Sequence, residues 1–600
     1  MDNYKYQNMK KINKYFIAFL SVFALLQGCE STDLDKLNDP NILGPEQADP
    51  TLLFNSIQLN FRSAVTTFNN LGGQLSRIDF MFGRVYRENF SPSTLNGPWN
   101  NLYSGIMPDL AAIENLNGDG SLNFHVGASK AMQAHVMMLL VDFMGDIVWS
   151  EAGNPAEFPS PTLDDGQAVY QAALTLLAEA EGLMTDNNNI VLDMYFSGDA
   201  SKWRKYINTL QMRAALTLGD YPAVIAAADV IETAADNMAF EYGTNELEPD
   251  NRHPDYIGDY SATGAGGYRS NWLMSLMAGT SGDNTGDDDP RRRYYFYRQS
   301  EYTPGNGTPL YLDGAPSIYT YPESLTGTNE DSETLVCSTQ AIPVHLEFTP
   351  AENYWCSVRL GYWGRNHGNA EGIPPDGFQR TASGVFPAGG RFDDNPDYVD
   401  YNTTTEETTL WGAGVGVGLG AGGAGVEPII LSSYVEFWRA EAYLMQSNAA
   451  LASTHFSQGI DESIAYVETF GSRDGNADLT MAPDETKITD FIADMTGTFD
   501  AAAVTTTLDG DGFPVAKDKM DLLGEQFFIA MYGGGADAYN FIRRTGYPRT
   551  IARSIESNPG PFPRSLFVPD AETSSNNNVN QKQDLEVRVF WDQGVTNPAN

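Results

Sequence analysis

The 600-residue chain reads as a mostly α-helical protein with a loop-rich lobe inserted in its middle. Three observations carry that reading. Apolar residues recur at helical spacing in several stretches on both sides of residues 240–430. The segment 240–430 is instead rich in Gly, Pro, Asp, Asn and Tyr, with weak periodicity. No clean linker interrupts residues 49–600, so one unit with two lobes is expected.

In chain order, residues 1–28 read as a secretion leader. Lys10, Lys11 and Lys14 precede an apolar run from Tyr15 to Leu26, which is too short to span a bilayer core of about 30 Å. Leu25-Leu26-Gln27-Gly28-Cys29 resembles a lipobox, which makes Cys29 the expected lipidated residue. Residues 29–48 are polar and read as the lipidated cysteine and its flexible tether.

Helical spacing begins near Pro50. From His125 to Ile147 the apolar positions include Ala128, Met132, Val136, Leu139, Leu140 and Phe143, with Gly145 as the stop. Gln167–Met184 repeats the pattern. Ser201–Leu218 and Pro222–Ala235 read as a helical hairpin of tetratricopeptide size around Gly219-Asp220-Tyr221, with Pro222 in the first turn. A last helical block is expected at Ser433–Met445, Ala449–Thr469 and Leu522–Arg544, with Ser433 and Glu436 as a capping box.

Composition restricts the partners. Net charge is −42, and since the first 28 residues hold four Lys and one Asp, the remainder carries −45. Nucleic acid and polybasic lipid contact are both disfavoured. Membrane attachment therefore falls to acyl chains on Cys29, each buried CH₂ contributing about 0.8 kcal/mol. Cys337 and Cys356 are the other two cysteines. They are spaced to pair in an oxidising compartment, though two buried thiols would read the same way.

Enzyme signatures are sparse. There is no Walker A sequence, no Gly-x-Ser-x-Gly elbow and no His-Glu-x-x-His. Gly418-Leu-Gly420-Ala-Gly422-Gly423 matches a dinucleotide fingerprint only formally, lacking the flanking strand and helix, and reads as a mobile loop. Asp474, Asn476, Asp478 and Glu485 copy four EF-hand positions, but Leu479 replaces the turn glycine and Pro483 intrudes, which favours an Asx-rich turn. No cofactor is implied, and no carboxylate pair is singled out for hydrolysis.

Two segments combine aromatics with planar polar side chains, as sugar sites do. One is Arg84-Val-Tyr86-Arg-Glu88-Asn89-Phe90, and the other is Gly361-Tyr362-Trp363-Gly364-Arg365-Asn366-His367. Arg84, Tyr86, Trp363 and Arg365 are the candidate ligand contacts. Trp363 serves equally well as a core anchor, whereas Trp99 and Trp203 sit at helical spacing and read as core.

The order of several motifs resembles the SusD/RagB-type nutrient-binding outer-membrane lipoproteins. Trp99-x-x-x-Tyr103-x-x-Ile106 is similar to an early family helix, and Gly145-Asp146-Ile147 to its Gly-Asp-x-Pro close, with Val148 in place of proline. Gly198-Asp199-x-x-x-Trp203-Arg204-Lys205-Tyr206, Arg213, Glu436-x-x-x-Ala440-Glu441-Ala442, Tyr539–Pro548 and Pro563-Arg564-x-x-Phe567 follow in family order. The resemblance implies tetratricopeptide-like helical pairs packed against a loop-rich lobe. It implies a lipid-anchored, surface-exposed protein of the outer membrane, acting as the lid of a SusC-type TonB-dependent barrel. It also implies capture of an oligomeric nutrient without turnover. A glycan is the first expectation. An oligopeptide lid is the alternative, since the acidic surface suits cationic peptides. A surface glycosidase and a helical scaffold without a small ligand are the more distant rivals.

Overall fold

The computed structural model describes residues 48–184, 192–278, 288–299, 362–368, 377–378, 380–395, 414–509, 514–554 and 556–596, plus the backbone of two short strands at Leu310–Leu312 and Ala315–Ser317. Cys29, Cys337 and Cys356 lie outside the described residues, as does the leader. Residues 50–600 form one compact unit.

Helix α1 (Pro50–Leu75) turns Phe54, Ile57, Phe61, Ala64, Phe68 and Leu75 inward, a row at three- and four-residue spacing. A π-helical turn over Asn101–Ile106 leads into α2 (Met107–Leu116). Helix α3 (Asn123–Met144) is buried at every position from Phe124 to Met144 except Lys130, which marks it as the central helix. It ends at Gly145, whose φ of 102° suits a residue without a Cβ. Helices α4 (Gly166–Leu183), α5 (Ala200–Thr217) and α6 (Tyr221–Ala226) are each capped by an aspartate, Asp165, Asp199 and Asp220 respectively. After α7 (Asn271–Ala278) in the loop-rich lobe come α8 (Ser432–Met445), α9 (Ala449–Glu468), α10 (Glu485–Ala501), α11 (Lys519–Ala530), α12 (Ala536–Thr545) and α13 (Asp570–Ser575).

The helices pair as tetratricopeptide-like units do: α3 along α4, α5 with α6, and α8 along α9, while α1 lies against α3 and α12. Strand content is small. Strand β1 (Met238–Glu241) pairs antiparallel with β6 (Val426–Ile430), joining the two ends of the loop-rich insertion. Strand β2 (Phe296–Tyr297) pairs with β5 (Ala382–Ser383), and β3 (Leu310–Leu312) with β4 (Ala315–Ser317).

A buried polar knot ties the pairs together. The Asp142 carboxylate on α3, with no exposed surface, accepts bonds from Arg213 Nη2 on α5, Asn540 Nδ2 on α12 and Trp591 Nε1 near the C-terminus, each at 2.9 Å, and from Tyr170 Oη on α4. Arg213 also meets Asp537 at 2.6 Å. Arg543 donates to the Asp142 carbonyl at 2.7 Å. Thus Arg213, Asn540 and Arg543, three residues of the motifs above, hold the helices in register.

Three helical expectations need correction. The helix expected over Pro222–Ala235 stops at Ala226. Val230 and Ile231 are both buried and adjacent, and Ile231 N–H bonds Thr209 Oγ1 at 2.9 Å, so tertiary contacts take over from the helix ladder. The helix expected over Leu522–Arg544 is two, broken at Gly533-Gly534-Gly535. There α1 crosses so closely that a Cβ on Gly72 would lie 2.2 Å from the Gly535 carbonyl oxygen. The Ser433–Glu436 capping box does not form: α8 starts at Ser432, whose N–H bonds Asn237 Oδ1, while Glu436 binds Arg439 and His455. Helix α10, capped by Asp484, lies beyond the expected Asx-rich turn in a stretch where no helix was expected.

The glycine tract is a packed element. A Cβ on Gly420 would lie 2.3 Å from the Gly390 backbone, so the two chain segments touch only because residue 420 is glycine. The EF-hand-like acids are spent on backbone N–H groups. Asp474 accepts from Asn476 and Phe392, and Asp478 from Thr480.

Candidate functional site

The two sequence-selected segments meet in the loop-rich lobe. Gly368 N–H reaches the Met81 carbonyl at 3.3 Å, and the His367 ring lies 5.8 Å from that of Tyr86. Residue Arg365 is held by a parallel bridge to Ser270 at the start of α7, with Arg365 N–H on the Arg269 carbonyl at 3.0 Å. Trp363 is fixed from the other side. Its N–H bonds Thr381 Oγ1 at 2.8 Å, and its carbonyl accepts Thr381 N–H at 3.0 Å.

Three of the four expected contact residues are interior. Tyr86 is 1 % exposed, stacks on Phe90 and receives a bond from Arg77 Nη2 at 2.8 Å. Trp363 is 4 % exposed and Arg365 3 %. None of these presents a free face in this structure, so the expectation of an open Trp363 platform gives way to the core-anchor alternative. The cause is the bridge to residues 269–271, which carries residues 362–368 inward. Arg84 alone is exposed.

Around these supports lies a connected aromatic and cationic row. The Arg365 and Arg380 guanidinium carbons each sit 4.0 Å from the centre of the Tyr268 ring. Both guanidiniums therefore pack against this one ring. Arg365 also donates to Tyr268 Oη at 2.9 Å. Tyr268 meets Phe80 edge-on at 5.9 Å, and Phe80 meets Phe82 at 6.3 Å. Beyond Arg380, Gln299 Nε2 holds the carbonyls of Gly377 and Arg380, fixing the turn that carries Phe378. Phe82 is 46 % exposed and Phe378 54 %. Burial, then the Arg77 charge, holds the His367 pKa well below the imidazole range, so it is neutral and supports packing.

The row thus offers exposed rings at its ends and guanidiniums locked by stacking in its middle. The exposed rings give flat apolar contact over buried guanidiniums, Arg365 and Arg380, Arg84 is the exposed cation beside them, and no nucleophile–base pair stands among the residues named. Sequence reasoning found the two segments and missed Phe82, Tyr268, Phe378 and Arg380. The one signal available was position, since Phe80-x-Phe82 lies just ahead of Arg84 and the first selected segment.

A family model described as "Starch-binding associating with outer membrane" matches residues 43–353. A second, described as "Susd and RagB outer membrane lipoprotein", matches residues 427–589. Among solved structures, a SusD/RagB family protein from Bacteroides thetaiotaomicron is similar at 17 % identity, covering 92 % of this chain and 100 % of its own, with a TM-score of 0.55. A SusD homologue from Bacteroides fragilis aligns at 15 % identity, 91 % and 99 % coverage and a TM-score of 0.56. A protein named as chitin-binding aligns at 18 % identity, 91 % and 100 % coverage and a TM-score of 0.55. No curated protein matches.

Proposed function

From its membership of the SusD/RagB family of outer-membrane lipoproteins, to which this chain belongs, we propose that it captures an oligomeric nutrient at the cell surface, a glycan first of all, and passes it to a SusC-type TonB-dependent barrel. The observation that carries the ligand class is the row from Phe82 through Tyr268 to Phe378, with its exposed ring faces and anchored guanidiniums. Rings stack on the apolar faces of sugars, and an exposed planar donor can reach their hydroxyls. Arg84 is the exposed cation beside it, while Tyr86, Trp363 and Arg365 position the row from beneath.

A delivery protein must release its cargo, so micromolar to millimolar affinity is expected, roughly −8 to −4 kcal/mol, with no turnover. Affinity electrophoresis in gels containing soluble starch or glycol chitin tests this. At least one gel should retard the protein, and Phe82→Ala with Phe378→Ala should abolish the retardation without lowering the melting temperature. Trp363→Ala should instead lower stability by about 3–5 kcal/mol, as a truncated buried indole does. If cationic peptides bind and neither glycan does, the oligopeptide lid is the correct member of the family. Release of shortened sugar would place the protein among the hydrolases.

A further inference from the structure

The helical half of the molecule holds a cavity of about 630 Å³. It lies between α2, α3 and the connection 148–161, with Glu572 of α13 at its edge. We propose that this cavity is a second saccharide site, separate from the row in the loop-rich lobe, and selective for neutral or amino sugars against uronates.

Its size falls within the roughly 300–1,000 Å³ of small-molecule sites. Two indoles and a phenyl ring, Trp99, Trp149 and Phe158, contribute flat apolar wall. Two carboxylates of the lining keep an acceptor oxygen. Both bonds from Thr162 fall on Glu151 Oε2, leaving Oε1, and Asn576 occupies only Oε1 of Glu572. Gln133 is 4 % exposed and lines the cavity, yet its amide nitrogen meets only the Met137 sulfur at 3.8 Å. An amide so buried and so poorly satisfied is costly unless a ligand or water completes it. The single lysine in the lining, Lys130, is held by Glu114 at 3.0 Å and Glu179 at 2.6 Å. The cavity therefore offers carboxylates to hydroxyl or ammonium donors and no uncommitted cation to a sugar acid.

The wall is built before any ligand arrives. Asp164 takes the N–H groups of Trp149 and Ser150 at 2.7 and 2.9 Å, and Asn576 Nδ2 holds the Pro161 carbonyl at 2.6 Å. A pre-formed wall reduces the ordering cost of binding.

Hydrogen exchange of residues 148–161, with calorimetry in parallel, tests the site on the soluble chain. The probes are maltohexaose, glucosamine hexamer, hexagalacturonate and hexalysine. Maltohexaose or the glucosamine hexamer should protect the connection, and hexagalacturonate should not. Trp149→Ala and Glu151→Gln should each weaken that binding at least tenfold, and Phe82→Ala should leave it unchanged. Glu151→Gln keeps side-chain volume, so it decides the matter if Trp149→Ala folds poorly. Equal protection by hexagalacturonate overturns the proposal. So does protection by hexalysine alone, by no probe at all, or undiminished binding in Glu151→Gln.

Discussion

Replacing Asp142 by alanine should be among the most damaging single changes available to this protein. The carboxylate is wholly buried and serves four donors on four different parts of the chain: Tyr170, Arg213, Asn540 and Trp591. Breaking a buried ion pair from one side costs about 3–5 kcal/mol, because the remaining charge stays desolvated. Each neutral donor left without an acceptor adds roughly 1–3 kcal/mol, less where the cavity admits water. Arg213 retains Asp537 at 2.6 Å, which offsets part of the loss. The balance is about 5 kcal/mol, comparable to the whole stability of many domains. Asp142→Asn keeps the volume and one acceptor oxygen and should cost roughly half of that, on the same reasoning about charge. Urea unfolding followed by tryptophan fluorescence measures both, with the midpoint falling and the slope unchanged. Hydrogen exchange should rise together in α3, α5 and α12. A loss below about 1.5 kcal/mol in the alanine variant, one hydrogen bond's worth, would refute the view that this knot holds the helical pairs in register.

Two further outcomes are expected. Burial raises the Glu427 carboxyl pKa from 4.5 to about 7, so the folded chain keeps a proton that the unfolded chain releases. Stability should therefore fall as pH rises from about 4.5 to about 7, by up to about 1.4 kcal/mol per pH unit, and Glu427→Gln should flatten that slope in melting experiments. Asp79, also raised to about 7, acts with the same sign and should account for the slope that remains. Cys29→Ser should shift the protein out of the membrane fraction, or leave it unprocessed, in cells lacking the partner barrel. Unchanged membrane attachment there would contradict lipid as the anchor of a chain whose residues 29–600 carry −45.

The helices were legible where burial is one-sided or complete over a long stretch. Helix α3 is the clearest case: its apolar positions recur at helical spacing, and Gly145 ends it. Legibility failed where distant contacts overrule local preference. Nothing near Ala226 forbids a longer helix, and only the fold shows that Thr209, on α5, captures Ile231. The Ser433–Glu436 pattern has the right letters for a capping box, yet the helix starts one residue earlier, where Asn237 takes the Ser432 N–H, and Arg439 and His455 occupy Glu436. Gly533–Gly535 was visible as three glycines. What made them a break was the passage of α1 at Gly72, which is remote in sequence.

The site divides along the same line. Composition picked out both segments that meet in the loop-rich lobe, because aromatics beside arginine and asparagine are chemically distinctive in any fold. Which of those side chains face outward depends on pairing between residues 269–271 and 365, and no local pattern encodes that. The outcome inverted the expected roles. Trp363 and Arg365, the most suggestive residues on paper, became supports, and the plainer Phe82 and Phe378 became the exposed surface. A buried arginine stacked on a tyrosine stiffens what lies above it, since the planar guanidinium loses little freedom on binding the ring. In the proposed site, ligand contact and ligand positioning would fall to neighbouring residues of one segment, with Arg84 exposed and Tyr86 buried only two positions later. Mutating the conspicuous residues first would therefore report on stability, whereas Phe82 and Phe378 report on binding.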